Sequence, residues 1–431
     1  MDKFVIKGGK SLKGKVTISG SKNAALPILA STILAEGKSV IKRVPYLRDV
    51  ETLLQILNEL GVKAERKSNG DITCEVISEK NSVARYDLVR TMRASICILG
   101  PLLAKRNYAK VSMPGGCVIG VRPIDLHEKG IKQLGADINY EHGYLIAKSA
   151  KLKGAEIYLG GAFGSTVTGT ANVMMAATLA KGTTIIENAA SEPEVQDLAN
   201  FLVKMGAKID GVGTHRLIIE GVKSLKAVEH TVIPDRIEAG TFILAGAITN
   251  SEISIQNCRV EHLWAMIDKL RQIGIEVLKL SPTECVVKPA KNIQPADIAT
   301  LPYPGFATDL QAQIMSVLSV AKGISIITEK IYPDRFMHVA ELNRLGANIR
   351  KEGASAIING VNKLFGAPVM ASDLRASAAL VLAGLVAEGT TEVNRIYHID
   401  RGYEKIESKL QKLGADIKRI SDKGATSDEN N

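Results

Sequence analysis

The sequence predicts an α/β fold built from six copies of one unit, and three observations predict it. A motif of the form Leu/Met/Ile-Gly-small-x-apolar recurs at Leu60, Leu134, Met205, Ile273, Leu345 and Leu413, at intervals of 74, 71, 68, 72 and 68 residues. An amphipathic segment runs into each copy. Further upstream in each unit lies a helix that is apolar on nearly every side, with short β-runs after both kinds of helix. Spacing this even marks a repeat architecture.

Each element has its own reason. The apolar helices read NAALPILASTILA, RASICILGPLLA, TANVMMAATLA, AGTFILAGAIT, DLQAQIMSVLSVA and LRASAALVLAGLVA. A helix apolar all round belongs inside, and Ala, Ser and Gly let neighbouring helices approach closely. Strands such as GTTIIENA, GISIITEK and GTTEVNRI follow them. Next come segments such as VETLLQILNEL, VQDLANFLVKM and GYEKIESKLQKL, whose apolar residues fall at helical spacing with charges between, as on a surface helix. The glycine of the repeated motif ends that helix in the left-handed conformation that residues with a Cβ resist. Six copies can stack as one solenoid or gather as two clusters of three, and helices this rich in small residues favour clusters. The midpoint falls near Val232-Ile233-Pro234-Asp235, and the leading strand FVIKGGKSLKGKVTIS is free to join either cluster. The expected division is a first three-repeat domain at 22–233, a second at 1–21 plus 234–420, and a frayed polar tail at 421–431.

Composition narrows the function. Of 431 residues 45% are hydrophobic and 23% charged, ordinary for a soluble chain with a large core. The net charge of +10 favours an anionic partner: nucleic acid, acidic lipid or a phosphorylated metabolite. Aromatic residues are only 4%, too few for base-stacking platforms, which argues against nucleic acid. The first twenty residues hold no apolar core of a secretory signal. The longest apolar run, Ala376–Ala387, falls short of the roughly 20 residues that span a bilayer. Neither membrane insertion nor secretion is expected. Five scattered cysteines without a CxxC pair, and histidines without ligand spacing, point to a reducing cytoplasm and no metal. There is no GxxxxGK[ST] loop and no dinucleotide fingerprint.

Polar residues gather where the apolar helices begin: Lys22-Asn23, Arg93, Thr166 to Thr170, Asp235-Arg236, Thr308-Asp309 and Asp373 to Arg375. If the helices of a cluster run parallel, their electropositive ends converge on one face and favour anions. Capping of the helix ends is the competing role for Asp235, Asp309 and Asp373. Lys22, Arg93 and Arg375 make poor caps, and a cation beside a positive helix end calls for an anion. The stretch SMPGGCVIGVRPIDL makes a glycine-rich loop with Cys117 at its tip and Arg122 five residues on. That thiol is either an incidental loop cysteine or one activated by nearby cations. Cys74, Cys97, Cys258, Cys285 and His338 read as structural. Arg401 and Glu404 open a surface helix, where Arg401 either pairs with an Asp or reaches the site.

Taken together, SKNAALP, RTMRAS, PGGCVIGVRPIDLH, TDLQAQ, DRFMHVAEL, DLRASAALVLAG and IYHIDRGYE resemble one family from about Lys7 to Ile420: the UDP-N-acetylglucosamine 1-carboxyvinyltransferases, which are enolpyruvyl transferases. The resemblance implies two inverse α/β barrel-like domains, each of three βαβαββ repeats, with the active site in the cleft between them. It implies transfer of the enolpyruvyl group of phosphoenolpyruvate to the 3′-hydroxyl of UDP-N-acetylglucosamine, with release of phosphate and no cofactor. On its motifs Lys22 and Asn23 contact phosphoenolpyruvate and the sugar, while Arg93, Arg122 and Arg401 hold the phosphate and carboxylate. Arg122-Pro123-Ile124-Asp125-Leu126 lies around the uracil and diphosphate. Where the family commonly has Ser-Val-Gly-Ala-Thr this chain reads Gly164-Ser165-Thr166-Val167-Thr168-Gly169-Thr170, with a different local length, and Ser165, Thr166 and Val167 are expected to offer the diphosphate hydroxyl and backbone donors. Asp309 sits at the sugar hydroxyl, with Ile331 as a nearby backbone contact. Cys117 is the proton donor, forms a covalent adduct with the substrate and is alkylated by fosfomycin. Asp235, Arg236, Asp373 and Arg375 support the site. The nearest rival activity uses shikimate 3-phosphate as acceptor, without Cys117 or the RPIDL stretch. A basic, non-catalytic nucleic-acid binder is the rival of another class.

Overall fold

Six four-stranded sheets form among the described residues, one for each repeat, together with two short two-stranded ribbons. The computed structural model describes residues 2–90, 92–113, 123–290 and 292–421. The fifth repeat shows the plan. Strand Asp297–Ala299 lies parallel to Ile324–Thr328 across a buried helix, and Ile324–Thr328 then pairs antiparallel with Ser355–Asn359. Asn348–Glu352, which follows the surface helix, takes the outer edge. Three sheets are completed from far along the chain. Lys3–Lys7 sits between Thr390–Asn394 and Asp416–Ile420. Gly14–Thr17 runs beside Ile253–Gln256, and Glu229–Thr231 beside Lys38–Lys42.

The helices come in the expected alternation. The first is α1 (Lys22–Ser31), followed by α2 (Arg48–Glu59), α3 (Tyr86–Val89), α4 (Leu99–Arg106), α5 (Asp125–Gln133), α6 (Val167–Ala177) and α7 (Pro193–Lys204). Beyond Pro234 lie α8 (Arg236–Ile248), α9 (Trp264–Gln272), α10 (Gln311–Leu318), α11 (His338–Arg344), α12 (Leu374–Val386) and α13 (Ile406–Lys412). Helices α1, α6, α8, α10 and α12 are buried almost throughout. Their Ser and Thr hydroxyls are satisfied mostly by donating back to the preceding turn, as Thr241 does to the Ile237 carbonyl at 2.8 Å and Ser319 to Met315 at 2.8 Å. All six repeat glycines have positive φ: Gly61 79°, Gly135 91°, Gly206 106°, Gly274 88°, Gly346 89° and Gly414 98°.

The chain divides into two compact units. One holds the described residues of Gly20–Cys117 and Val121–Ile233, the other those of Met1–Ser19 and Pro234–Asn431. Each has its own core. In the first, α4 packs on α6, and the turn Arg93–Ile98 packs on both α1 and α6; in the second, α8, α10 and α12 pack on one another.

The barrel-like α/β arrangement is built of open sheets: no hydrogen-bonded ring closes among the described residues. Two expectations need correction. The second buried helix is split into a 3-10 turn, Arg93–Ile98, and α4. Pro101 has no N–H to donate to the Cys97 carbonyl, so a continuous α-helix through that point loses a bond. Arg401 and Glu404 do not open a helix. Arg401 ends the 3-10 turn Ile396–Arg401, and the left-handed backbone of Lys405 (φ 47°) delays α13 to Ile406.

Candidate active site

In the second unit the first turns of α8, α10 and α12 meet in a buried polar cluster. Asp235 caps α8, accepting from the Ile237 and Glu238 amides at 2.8 and 2.9 Å; Asp373 caps α12, accepting from Arg375 and Ala376 at 2.8 and 3.2 Å. Asp309 caps nothing. It lies in a 3-10 turn, Thr308–Leu310, ahead of α10, and its carboxylate is held from two sides. Arg335 Nη1 donates to Oδ1 at 2.8 Å, and Arg375 donates to Oδ2 through Nη2 at 3.0 Å and Nε at 3.2 Å. The side chains of Arg335 and Arg375 are 7% and 2% exposed, whereas that of Asp309 keeps 28% of its surface open. Burial alone raises a carboxyl's pKa. Here the charges and hydrogen bonds of the two guanidiniums outweigh it and hold Asp309 well below the usual carboxylate range. Tyr403 completes the cluster: Gln313 Nε2 donates to its hydroxyl at 3.0 Å, and Thr241 Oγ1 lies 2.9 Å from it. Burial pushes His338, beside Asp373 and Arg335, down to about 4.

In the first unit the helix starts are built differently. Ser21 caps α1 and Thr166 caps α6, each with a neutral hydroxyl. Lys22 is buried and its Nζ lies 3.2 Å from Asp49 Oδ2. Arg93 Nη2 donates to the Pro123 carbonyl at 3.3 Å, which ties the start of the second repeat to the stretch Pro123-Ile124-Asp125-Leu126. Directly after it His127 joins α5 to α6. Its Nδ1 accepts from Asn172 Nδ2 at 2.8 Å and its Nε2 lies 3.1 Å from Thr168 Oγ1. Asn172 is itself fixed, since its amide donates to the Ile96 carbonyl and accepts from the Gly100 N–H. Burial, reinforced by the charge of Arg93, pushes His127 down to about 3, so the ring is neutral with its proton on Nε2.

An asymmetry follows. The helix ends of the second unit already carry carboxylates, and Arg375 is committed to Asp309, so Arg375 is not a free anion-binding cation. The helix ends of the first unit carry hydroxyl caps and two cations, of which Lys22 is paired with Asp49.

The other sequence-predicted residues fall as follows. Asn23 sits half-buried in the first turn of α1, and Ser165 and Thr166 lead into α6 with Val167 exposed. Asp125 is the first residue of α5 and exposed; Ile124 is buried, and Leu126 half-buried. Arg236 lies over the Tyr303 ring at 5.7 Å. Arg401 is half-buried, and the neighbouring Asp400 pairs with Arg419. Cys117, Arg122 and the 422–431 tail lie outside the described residues. Cys74, Cys97, Cys258 and Cys285 are buried, and burial pushes the first two thiols up to about 12, which makes them poor nucleophiles. Among the described residues no three His, Cys, Asp or Glu side chains gather as a metal site. Sequence reasoning passed over Asp49, His127, Glu329 and Arg335. Arg335 stands inside the DRFMHVAEL motif and Glu329 ends an apolar strand, and a charge in either place was the available signal.

A family model described as EPSP synthase (3-phosphoshikimate 1-carboxyvinyltransferase) matches residues 6–410. The UDP-N-acetylglucosamine 1-carboxyvinyltransferase of Geotalea uraniireducens (strain Rf4) is 55% identical over 423 residues, 98% of this chain and 100% of that protein. The crystal structure of the enolpyruvyl transferase NikO from Streptomyces tendae is similar with a TM-score of 0.88 at 24% identity, covering 97% of this chain and 99% of that one. An EPSP synthase from Acinetobacter baumannii gives 0.75 at 17% identity, covering 98% and 100%. At those identities the two structures speak for the α/β fold alone. The match across residues 6–410 and the majority identity over nearly the whole chain establish descent as well as fold: the chain belongs to the carboxyvinyltransferase family that the EPSP synthase model describes.

Proposed function

We propose that this protein transfers the enolpyruvyl group of phosphoenolpyruvate to the 3′-hydroxyl of UDP-N-acetylglucosamine and releases phosphate, the first committed step of peptidoglycan precursor synthesis. The observation that carries the choice of acceptor is the majority identity, end to end, with a relative named for that nucleotide sugar. Shikimate 3-phosphate is the acceptor of the sister enzymes, and the solved EPSP synthase is far more distant in sequence.

The chemistry asks for an acid at one carbon and an acceptor at the hydroxyl. The hydroxyl oxygen bonds to C2 of phosphoenolpyruvate while a proton adds to C3. Phosphate then leaves C2, and C3 gives a proton back to restore the double bond. Lys22 and Arg93 offer the positive field that the phosphate and carboxylate need, with Asn23, Arg122 and Arg401 beside them on the family's pattern. Cys117 supplies the proton to C3. Asp309 receives the hydroxyl's hydrogen bond. Clamped between Arg335 and Arg375 it stays ionised, yet it is too weak a base to remove the proton from a resting alcohol. The proton therefore moves late, once the C–O bond is forming and the alcohol has become acidic. Pro123 to Leu126 and Ser165 to Val167 receive the uridine diphosphate, and Asp235, Arg236, Asp373 and Arg375 hold the frame around Asp309.

No helix among the described residues is long and apolar enough to cross a membrane. We assign the work to the cytoplasm. Melting temperature in the presence of ligand tests the acceptor: at a hundredfold excess over its Kd, UDP-N-acetylglucosamine stabilises by about 2.7 kcal/mol. The melting temperature rises with the nucleotide sugar and rises further with phosphoenolpyruvate added. A rise with shikimate 3-phosphate and none with the nucleotide sugar contradicts the proposal.

A further inference from the structure

Glu329 is fully buried directly after strand Ile324–Thr328, and four donors converge on its carboxylate. Its Oε1 accepts from Thr300 Oγ1 at 2.6 Å and from the backbone amides of Ile331 and Tyr332 at 2.9 and 3.0 Å. Its Oε2 accepts from Thr308 Oγ1 at 2.9 Å. Thr300 Oγ1 also accepts from the Lys330 amide at 3.0 Å, and Thr308 Oγ1 from Arg335 Nη1 at 3.0 Å, which leaves each hydroxyl proton available to donate to Glu329. A carboxylate, an acceptor on both oxygens, can receive all four donors at once.

Two consequences meet at the acceptor's expected position. With its N–H committed to Glu329, Ile331 has only its carbonyl to offer a ligand, and no described residue donates to that carbonyl. A carbonyl contact selects a donor on the sugar, such as an acetamido N–H or a hydroxyl. The second arm runs from Glu329 to Thr308, from Thr308 to Arg335, and from Arg335 to Asp309 Oδ1 at 2.8 Å.

We propose that Glu329 is a positioning residue that holds the Ile331 peptide and the Asp309 carboxylate in one fixed relation, so that the sugar is bound by the one and its hydroxyl presented to the other. This rests on the acceptor reading above and names a residue which that reading does not contain. The residue touches no substrate itself. Its effect is a matter of alignment, where a displacement near 1 Å lowers a rate by roughly a hundredfold.

The test is a double-mutant cycle on the full chain with Glu329→Gln and Thr308→Val. In the Gln variant the new N–H2 faces the Thr308 hydroxyl and reverses the polarity of that bond. The expected result is a fall in kcat of at least about tenfold and a raised KM for UDP-N-acetylglucosamine, with KM for phosphoenolpyruvate within twofold of wild type. The double variant falls no further than the worse single one, since both interrupt one path. Wild-type kcat in Glu329→Gln, or losses that multiply in the double variant, overturns the proposal. Should Glu329→Gln fail to fold, Thr308→Val alone must reproduce the kcat loss, and a fully active Thr308→Val overturns it. If the wild type itself does not turn over the nucleotide sugar, it is the acceptor reading that fails. The melting temperatures of the same four proteins then decide the coupling: non-additive shifts support it and additive shifts refute it.

Discussion

A histidine locked in its neutral form makes the residue-scale physics measurable. His127 accepts from Asn172 and donates to Thr168, and its folded-state pKa is about 3 against about 6.5 in the unfolded chain. The folded state thus refuses a proton that the unfolded state takes. Stability is full above pH ~6.5 and is lost as the pH falls from there towards 3, by up to about 1.4 kcal/mol per pH unit. His127→Gln can keep both hydrogen bonds and has nothing to titrate. Its melting temperature is therefore expected to fall less than that of the wild type between pH 7 and pH 5, and parallel profiles would refute the assignment. Lys22 and Arg93 were legible in the sequence because each is a cation set at the start of an apolar helix, where a cap has no use for it; Asp309, with capping as its competing role, was marked by its family motif. Their partners were not. Asp49, Glu329 and Arg335 are recruited from 20 or more residues away, and no local pattern announces a pairing made by tertiary contact.

At the scale of elements, helices of small residues trade side-chain volume for close approach. Gly100 in α4 shows how close: a Cβ there would stand 2.2 Å from the backbone oxygen of Asn172 in α6. In an isolated helix Gly→Ala gains up to about 1 kcal/mol. Here Gly100→Ala forces the two helices apart and strains the Asn172 bridge to the Gly100 amide, and overpacking of that kind costs about 1–3 kcal/mol. A net loss in denaturant unfolding is the expected outcome, and equal or greater stability would show that the contact yields freely. Periodicity alone revealed the two helix types and the glycine stops, because burial on all sides and burial on one side leave different patterns. It did not reveal where the second buried helix breaks or where α13 starts. Those depend on one missing N–H at Pro101 and on Lys405 turning left-handed beside the buried, hydrogen-bonded Tyr403.

For the whole molecule, the α/β class and the repeat count were legible, and the strand partners drawn from afar were not. Six evenly spaced glycines foretold six units, and six four-stranded sheets are present. Hydrogen bonding along sheet edges leaves no trace in such spacing, and the sheets stay open. Three of them borrow a strand from a distant part of the chain, a pairing that only long-range contact decides. The two halves repeat one architecture with different capping groups at their helix starts. Hydroxyl caps with Lys22 and Arg93 stand in one unit, and carboxylate caps with a clamped Asp309 in the other. The proposed reaction puts the phospho-acid at the first set and the sugar hydroxyl at the second. Phosphate release by the intact protein, given phosphoenolpyruvate and one acceptor at a time, tests it most directly. Release that depends on UDP-N-acetylglucosamine, and vanishes when shikimate 3-phosphate replaces it, is the predicted result; release with shikimate 3-phosphate and none with the nucleotide sugar would contradict it.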